Sequence, residues 1–201
     1  MPKNNPKINP GGSIRLDIGC AQHKLPGWTG VDILPGPGVD IVADLHSLPF
    51  GDSTVDILHT RHTLEHIADP LQCIAEMYRV VKPSGRIIVI VPHYSNPAYW
   101  ADITHKRPFG VRTFEYFDLE YARRAGYPIY KSNINFKTHK TELTYWPGRI
   151  QFHGRLKRAC LLMLDKIFSG LANLNPRLCE RTWCFWVGGF YEVTFELEPI
   201  K

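Results

Sequence analysis

Three carboxylates in the first quarter of the chain stand at or near the ends of short apolar runs: Asp17, Asp32 and Asp44. If these runs are strands of an open parallel sheet, their carboxyl ends meet at one crevice, where ligands of such sheets bind. The three side chains would then face a single adenosine-type ligand. Asp32 has the lone pairs to accept hydrogen bonds from both hydroxyls of a ribose, and Asp44 lies where an adenine amine could donate. Gly19 has no side chain to keep the backbone away from the ligand.

A second group of chemically capable side chains lies in the loops after the fourth and fifth predicted strands. The segment Asp102–Arg107 holds a carboxylate, an imidazole and two cations. We expect His105 to act as a general base toward an acceptor hydroxyl, with Asp102 orienting its ring. Lys106 and Arg107 would suit a phosphate or carboxylate on the acceptor. For the loop as a whole, a structural role as a latch over the sheet is the favoured explanation. The other candidates in these loops are Arg61, His62, Glu65, His66, His93 and Tyr94.

The segment His62–His66 also matches the His-x-x-Glu-His pattern of a class of zinc proteases. Such a site needs both imidazoles on one face of a stable helix and a third ligand further along. Asp69 and Pro70 begin a new helix a few residues later, which leaves room for barely one turn. We therefore expect no metal here. His62 is expected to line the ligand pocket, while Glu65 and His66 fix the turn or face the acceptor.

Apolar periodicity predicts the elements that would position these groups. A helix over Pro70–Val81 begins with Asp69 as N-cap and ends at Lys82–Gly85. The run Ile87–Val91 is continuously β-branched, which is typical of a strand covered on both faces. This alternation of strand and helix predicts right-handed crossovers and a parallel sheet. The predicted strands are Ile14–Ile18, Gly30–Ile33, Asp40–Ala43, Asp56–Thr60 and Arg86–Pro92.

Together these segments resemble the class I S-adenosylmethionine-dependent methyltransferases, most closely a small subgroup with a Leu-Asp-Ile-Gly-Cys strand end followed by Pro-Gly-Trp. The resemblance covers roughly residues 14 to 110. It implies a Rossmann-like α/β sheet, mostly parallel, with an antiparallel C-terminal hairpin, and it implies S-adenosyl-L-methionine as cofactor. The segments that carry it are Leu16–Cys20, Pro26–Trp28, Leu48–Phe50, Val55–Leu58, Leu64–His66 and Arg79–Gly85.

The resemblance also implies roles for individual residues. The catalytic candidates are His105, Asp102 and His66, and the loop Asp102–Phe109 resembles a motif of methyltransferases encoded with glycan-assembly genes. The cofactor-binding candidates are Asp17, Gly19, Cys20, Ala21, Asp32, Ile33, Asp44, Leu45 and His62.

The chain departs from the family pattern in two places. The family's Gly-x-Gly-x-Gly corresponds here to Gly19–His23, in which Ala21 takes the second glycine position. Only about ten residues separate Gly19 from Gly30, whereas a parallel crossover normally needs a dozen or more. The first helix must therefore be very short or replaced by a loop.

The rest of the chain predicts the closing hairpin and an insertion. A helix over Thr113–Ala125 is followed by two strands, Tyr130–Tyr145 and Gly189–Glu198. Residues 147–187 form a predicted helical and aromatic lid insertion, with a helix over residues 156–174. The helix begins with basic residues and has an apolar face, so residues 155–172 could contact a membrane surface. Packing of this helix over the site as a lid is the favoured explanation. Trp146, Trp183 and Trp186 could stack on a sugar ring or a base, with core or lid packing as the favoured explanation.

Composition sets the class of protein. The 201 residues, 44% of them hydrophobic and 21% charged, predict one domain over residues 13–201 after a flexible segment 1–12. That segment lacks the apolar core of a signal peptide, and no apolar run is long enough to span a bilayer. The net charge of +5 suits an anionic substrate, a nucleic acid or an anionic membrane and selects none of them. Five cysteines without a CxxC pair predict reduced thiols and a cytoplasmic location.

These observations leave several functions open. The leading hypothesis is a methyltransferase acting on a small-molecule or glycan-type hydroxyl. An RNA or protein acceptor ranks lower, because the cations are scattered along the chain. A non-catalytic cofactor-binding partner subunit would explain the thin glycine loop. A nicotinamide dehydrogenase is weaker still, because a first turn without a long helix offers little to bind a pyrophosphate.

Overall fold

The computed structural model describes residues 12–129, 133–146 and 155–201. Residues 1–11 of the predicted flexible segment, the start of the predicted strand at 130–132 and the start of the insertion at 147–154 lie outside these ranges. Among the described helices, none combines the length and apolar composition that crossing a bilayer requires.

A sheet of seven strands within the described residues forms the centre of the molecule. Its order is β3-β2-β1-β4-β5-β7-β6. The first five strands in this order are parallel, whereas β7 is antiparallel to both of its neighbours, β5 and β6. The mostly parallel α/β sheet with an antiparallel C-terminal hairpin is therefore confirmed. The strands are β1 Arg15–Ile18, β2 Thr29–Asp32, β3 Ile41–Val42, β4 Val55–Arg61, β5 Val81–Pro92, β6 Phe136–Thr144 and β7 Glu192–Pro199.

The helices lie between and beside these strands. They are α1 Pro70–Val80, α2 Pro97–Ala101, α3 Leu119–Ala125, α4 Arg155–Leu174 and α5 Pro176–Thr182, with 3-10 turns at Leu64–His66 and Thr113–Phe117. The start of α1 is as predicted: Asp69 accepts a hydrogen bond from the Gln72 amide, and Pro70 occupies the first turn. The buried side chains Cys73, Ile74, Met77 and Val80 follow helical spacing, so α1 packs one apolar face on the sheet.

Three predicted boundaries are corrected by the structure. The predicted helix Thr113–Ala125 is a 3-10 turn followed by α3, because the Asp118 side chain caps a new helix by accepting from the Tyr121 amide. The predicted strand Tyr130–Tyr145 begins only at Phe136 in the described residues. The predicted stop at Lys82–Gly85 lies inside β5, as an irregularity opposite Asp56. Helix α5 was not predicted.

The first crossover contains no helix, as its length predicts. Residues 19–28 form turns. Three carboxylates hold this loop in place through hydrogen bonds and an ion pair. Asp17 accepts from the Leu25 amide at 2.8 Å, and Asp32 accepts from the Ala21 amide at 2.9 Å. Asp40 pairs with Lys24 at 2.6 Å. The loop is therefore fixed by charge-assisted hydrogen bonds rather than by helix packing.

Helix α4 lies along β6, at the edge of the sheet opposite β3. Asn173, Ser169 and Asp165 are spaced four residues apart and bond the backbone of Leu143, Tyr145 and Trp146. One face of α4 thus satisfies backbone groups at or just after β6, where an unpaired edge would invite association.

Candidate functional site

Two adjoining clefts open at the carboxyl ends of the parallel strands. The first, of about 360 Å³, lies beyond β1, β2 and β3. The second, of about 420 Å³, lies beyond β1, β4 and β5. Both are lined by Gly19 and His62, so these two residues mark the place where the clefts meet. Clefts of this size accommodate small organic ligands.

The nine predicted cofactor-binding residues all line these clefts. The first is lined by Gly19, Ala21, Asp32, Ile33, Asp44, Leu45 and His62. The second is lined by Asp17, Gly19, Cys20 and His62. The strand ends therefore meet as predicted.

Gly19 is held against the loop that follows β4. Its φ of +70° lies in the left-handed region, and a Cβ built on it would lie 2.1 Å from Oγ1 of Thr63. Thr63 is β-branched, so its side chain has few rotamers with which to escape that contact. A residue with a side chain at position 19 would therefore disturb both the turn and the wall where the clefts meet.

Asp32 and Asp44 occupy the rim of the first cleft with oxygens already oriented by the backbone. Asp32 accepts from the amides of Ala21 and Leu34. Asp44 accepts from the backbone amide and the ring of His46, and these bonds hold the pKa of its carboxyl below the usual value. Each carboxylate oxygen can accept more than one hydrogen bond, so both groups keep acceptor capacity for a ligand. The apolar walls between them come from Ile18, Val31 and Leu45.

A buried imidazole–carboxylate pair lies at the base of the second cleft. His59 donates its Nδ1 proton to Asp17 at 2.7 Å, and the Leu25 amide bonds the other oxygen of the same carboxylate. Sequence reasoning assigned Asp17 to the site but missed His59. The feature of the sequence that could have revealed His59 is its position directly after the apolar residues Ile57 and Leu58 of the fourth strand.

His62 sits between two carboxylates. Its φ of +51° is unusual for a residue other than glycine. Nε2 contacts Glu192 at 2.6 Å and Nδ1 contacts Glu65 at 3.2 Å, while Arg61 shares Glu192. Burial alone would lower the pKa of His62, but the bonds to the two carboxylates outweigh burial and raise it to about 9. Glu192 lies 130 residues away in sequence, and the sequence reasoning missed it.

The three predicted catalytic residues form one cluster where the loop after β5 meets the turn after β4. The rings of His66 and His105 lie 4.7 Å apart between centroids. Thr104 links the cluster: its hydroxyl donates to Asp102 at 2.6 Å, and its oxygen lies 3.0 Å from Nδ1 of His66. Asp102 accepts hydrogen bonds from both the hydroxyl and the backbone amide of Thr104, and these two bonds lower the pKa of its carboxyl.

The orientation of His105 differs from the prediction. Its Nδ1 donates to the Tyr99 carbonyl at 2.8 Å, and its ring stacks on the Tyr99 ring. Asp102 lies 3.6 Å from Nε2 of His105, which is too long for a hydrogen bond. The ring is therefore oriented by a backbone carbonyl, while Asp102 orients Thr104.

The remaining candidates have other surroundings. Arg107 donates to the Ala68 carbonyl at 2.7 Å and so ties the two loops together, and Lys106 is exposed. His93 is fully buried between Ser95 and Glu180 and takes no part in either cleft. Trp183 packs on Phe190, whereas Trp186 is 87% exposed.

Residues 29–89 match a protein family described as a methyltransferase domain. The matched segment runs from the start of β2 into β5. It therefore includes the carboxyl ends of β2, β3 and β4, which carry most of the first cleft. The match confirms the predicted relationship to the class I S-adenosylmethionine-dependent methyltransferases.

Curated relatives match parts of the chain. A demethylmenaquinone methyltransferase from Renibacterium salmoninarum is 34% identical over 85 residues, which are 42% of this chain and 35% of that protein. A ubiquinone/menaquinone biosynthesis C-methyltransferase UbiE from Hahella chejuensis is 21% identical over 172 residues, 84% of this chain and 65% of that protein. The chain thus spans less than two thirds of the length of these relatives.

Solved structures share the fold over nearly the whole chain. A SAM-dependent methyltransferase from Thermotoga maritima matches with a TM-score of 0.51 at 15% identity, covering 93% of this chain and 82% of that one. At this identity the similarity shows a common fold and carries no information about substrate.

Proposed function

Because the chain contains a class I S-adenosylmethionine-dependent methyltransferase domain, we propose that it transfers a methyl group to a small molecule with an ionisable hydroxyl. S-adenosylmethionine supplies, when bound, a methyl group already activated by its sulfonium. The main task of the protein is then to hold the nucleophile in line with the carbon–sulfur bond.

The observation that carries this proposal is the first cleft. Its walls are apolar, its rim has oriented carboxylates, and its floor at Gly19 has no side chain. This combination fits a nucleoside. We assign Asp32 to the ribose hydroxyls and Asp44 to the exocyclic amine of the adenine, with Ile33 and Leu45 beside the base. Ala21 lines the first cleft, and Gly19 and His62 lie where the two clefts meet. Asp17 and Cys20 line the second cleft, where the amino-acid part of the cofactor would lie.

The acceptor side is assigned to the cluster of His66, His105 and Asp102. His66 lines the first cleft, and His105 lies against it. The Nδ1 atom of His105 is used by the Tyr99 carbonyl, so a neutral ring has its lone pair on Nε2. That atom could accept a proton from an acceptor hydroxyl. Asp102 acts as a positioning residue through Thr104.

The named activities of the relatives favour an aromatic hydroxyl compound as the acceptor. The proteins from Renibacterium and Hahella are named as menaquinone-pathway methyltransferases. A phenolic oxygen must lose its proton before it, or the ring carbon beside it, can attack a methyl group. A glycan hydroxyl is the second candidate, favoured by the sequence of the Asp102–Phe109 loop.

Calorimetric titration with S-adenosylhomocysteine tests the cofactor assignment. Asp32→Asn should weaken binding about 10- to 100-fold, the scale of a hydrogen bond to a charged group. Asp52→Asn, on an exposed side chain outside both clefts, is the matched control and should bind as the wild type does. An unchanged affinity for Asp32→Asn would remove Asp32 from the ribose. Failure of the wild type to bind at millimolar ligand would overturn the proposal.

Turnover separates this function from its alternatives. Production of S-adenosylhomocysteine from S-adenosylmethionine should require a hydroquinone, or a sugar if the second candidate is right. Cofactor binding without turnover on either class would favour the non-catalytic partner subunit. Steeply salt-dependent binding to RNA would instead favour a nucleic-acid acceptor.

A further inference from the structure

Glu65, His66 and His105 place potential metal ligands close together. One carboxylate oxygen and one ring nitrogen from each histidine lie within 4.8 Å of one another. Glu65 and His66 are adjacent in the turn after β4, and His105 comes from the loop after α2. The Lys106 amide donates to the Glu65 carbonyl at 2.7 Å, so the two loops are fastened at this point.

The hydrogen bonds around the two histidines leave the same ring atom free on each. The Thr104 hydroxyl donates its proton to Asp102, so the Thr104 oxygen can only accept from Nδ1 of His66. Nδ1 of His105 donates to the Tyr99 carbonyl. Both rings therefore carry their lone pair on Nε2. Metal-binding histidines show this arrangement, with the far ring nitrogen held by a carbonyl or another oxygen.

Glu65 provides a second and independent observation. Its side chain is wholly buried, and Oε2 has no hydrogen-bond partner, although Oε1 is bonded by His62. A buried carboxylate oxygen without a partner is costly, because the charge has lost its water. A cation at the cluster would remove that cost.

We propose that Glu65, His66 and His105 bind a divalent transition-metal ion of the Zn²⁺ type. Two imidazoles and one carboxylate form the ligand set of many open zinc sites, in which further positions remain for water or substrate. Donors of a tetrahedral site with bonds of about 2.1 Å lie about 3.4 Å apart, so the cluster must contract on binding. His66 and His105 are only partly buried and can make that adjustment.

The position of the site suggests what the ion would do. His66 lines the first cleft, so the ion would lie at its rim. If the proposed methyl transfer is right, on which this step depends, the open positions would take an oxygen of the acceptor. The Nε2 lone pairs of His66 and His105 would then bind the metal and could not accept a proton. The ion, rather than an imidazole base, would favour loss of the proton from the acceptor hydroxyl.

The test uses Co²⁺ as a spectroscopic probe on the full chain after treatment with a chelator. We expect one ion per chain, with visible absorption bands and displacement by Zn²⁺. Glu65→Gln, His66→Gln and His105→Gln should each weaken binding at least about tenfold. His139→Gln is the matched control, because His139 also pairs with a carboxylate but lies on β6. It should bind Co²⁺ as the wild type does.

The outcomes separate this inference from the proposed function. Absence of Co²⁺ binding, or binding that none of the three variants weakens, would overturn the metal site. Binding of S-adenosylhomocysteine is measured on the same samples, so the cofactor assignment can stand or fail independently. If Glu65→Gln does not fold, as judged by circular dichroism, the two histidine variants still decide the result.

Discussion

Two parts of the molecule differ in how much apolar surface they leave exposed. The first part is residues 12–92, which end with β5, and the second part is residues 93–201. In the first part the described large apolar side chains that remain exposed are Ile33, Leu34 and Val42, and Ile33 lines the first cleft. The second part exposes Trp100, Ile103, Ile129, Leu162, Met163, Ile167, Leu171, Leu174, Leu178, Phe185, Trp186 and Ile200. The family match also ends within the first part. We infer that the first part is built for a common ligand and the second for what is particular to this protein.

Replacing Glu192 should have the largest effect, because this residue joins the two parts. Glu192 on β7 is 4% exposed and contacts both Arg61 and His62 on the other side of β5. Glu192→Gln would leave two cations without their shared carboxylate, and we expect a loss of about 3–5 kcal/mol in the free energy of unfolding.

Urea unfolding at neutral pH measures this loss. Glu142→Gln, on the neighbouring strand β6 with a partly exposed ion pair, is the control and should change stability by less than about 1 kcal/mol. Equal effects of the two variants would mean that the two parts are not coupled through Glu192.

Replacing Gly19 tests the first part alone. Gly19→Ala combines an unfavourable φ with a clash against Thr63, whereas Gly27→Ala has a similar φ of +77° and nothing within 4 Å of its Cβ. We expect Gly19→Ala to cost about 1–3 kcal/mol more than Gly27→Ala, the usual range for overpacking. It should also weaken binding of S-adenosylhomocysteine.

Thermal unfolding and calorimetry of both variants supply the comparison. If the two alanine variants lose the same stability and affinity, the contact between Gly19 and Thr63 does not shape the cleft.

Replacing an exposed aromatic residue of the second part should have the smallest effect. Trp186 is 87% exposed, so Trp186→Ser should change the free energy of unfolding by no more than about 0.5 kcal/mol. Affinity for S-adenosylhomocysteine should also remain unchanged. A reduced rate with the acceptor, in the same variant, would place Trp186 on the acceptor side. A large loss of stability would contradict the view that the exposed apolar side chains of the second part do not hold the fold together.

The sequence predicted the first cleft well because its signals are local. A carboxylate or glycine at the end of a strand can be recognised within a few residues, and parallel strand ends must meet. The contact of Glu192 with Arg61 and His62 could not be predicted in this way. It depends on β7 running antiparallel beside β5, which sets the register that brings Glu192 to the end of the sheet.

The sequence predicted which residues form the acceptor-side cluster, but it did not predict the hydrogen bonds that orient them. His66, His105 and Asp102 are close together as expected, yet His105 is oriented by the Tyr99 carbonyl. A backbone carbonyl leaves no mark in the residue types of a sequence, so this partner could not be inferred. The same holds for the unpartnered oxygen of Glu65, because the complete burial of this side chain arises only in the folded chain.

The helix-free connection between β1 and β2 has a consequence for the order of folding. Leu16 pairs with Thr29, and Val31 pairs with Ile41, so these contacts close short loops, whereas Thr144 on β6 must find Glu192. The chain entropy lost on closing a loop grows with loop length, and distant pairings slow folding. We therefore expect β1, β2 and β3 to associate early, and their backbone amides to gain protection from hydrogen exchange before those of β6 and β7. The corner that we assign to the nucleoside would then exist before the sheet is complete.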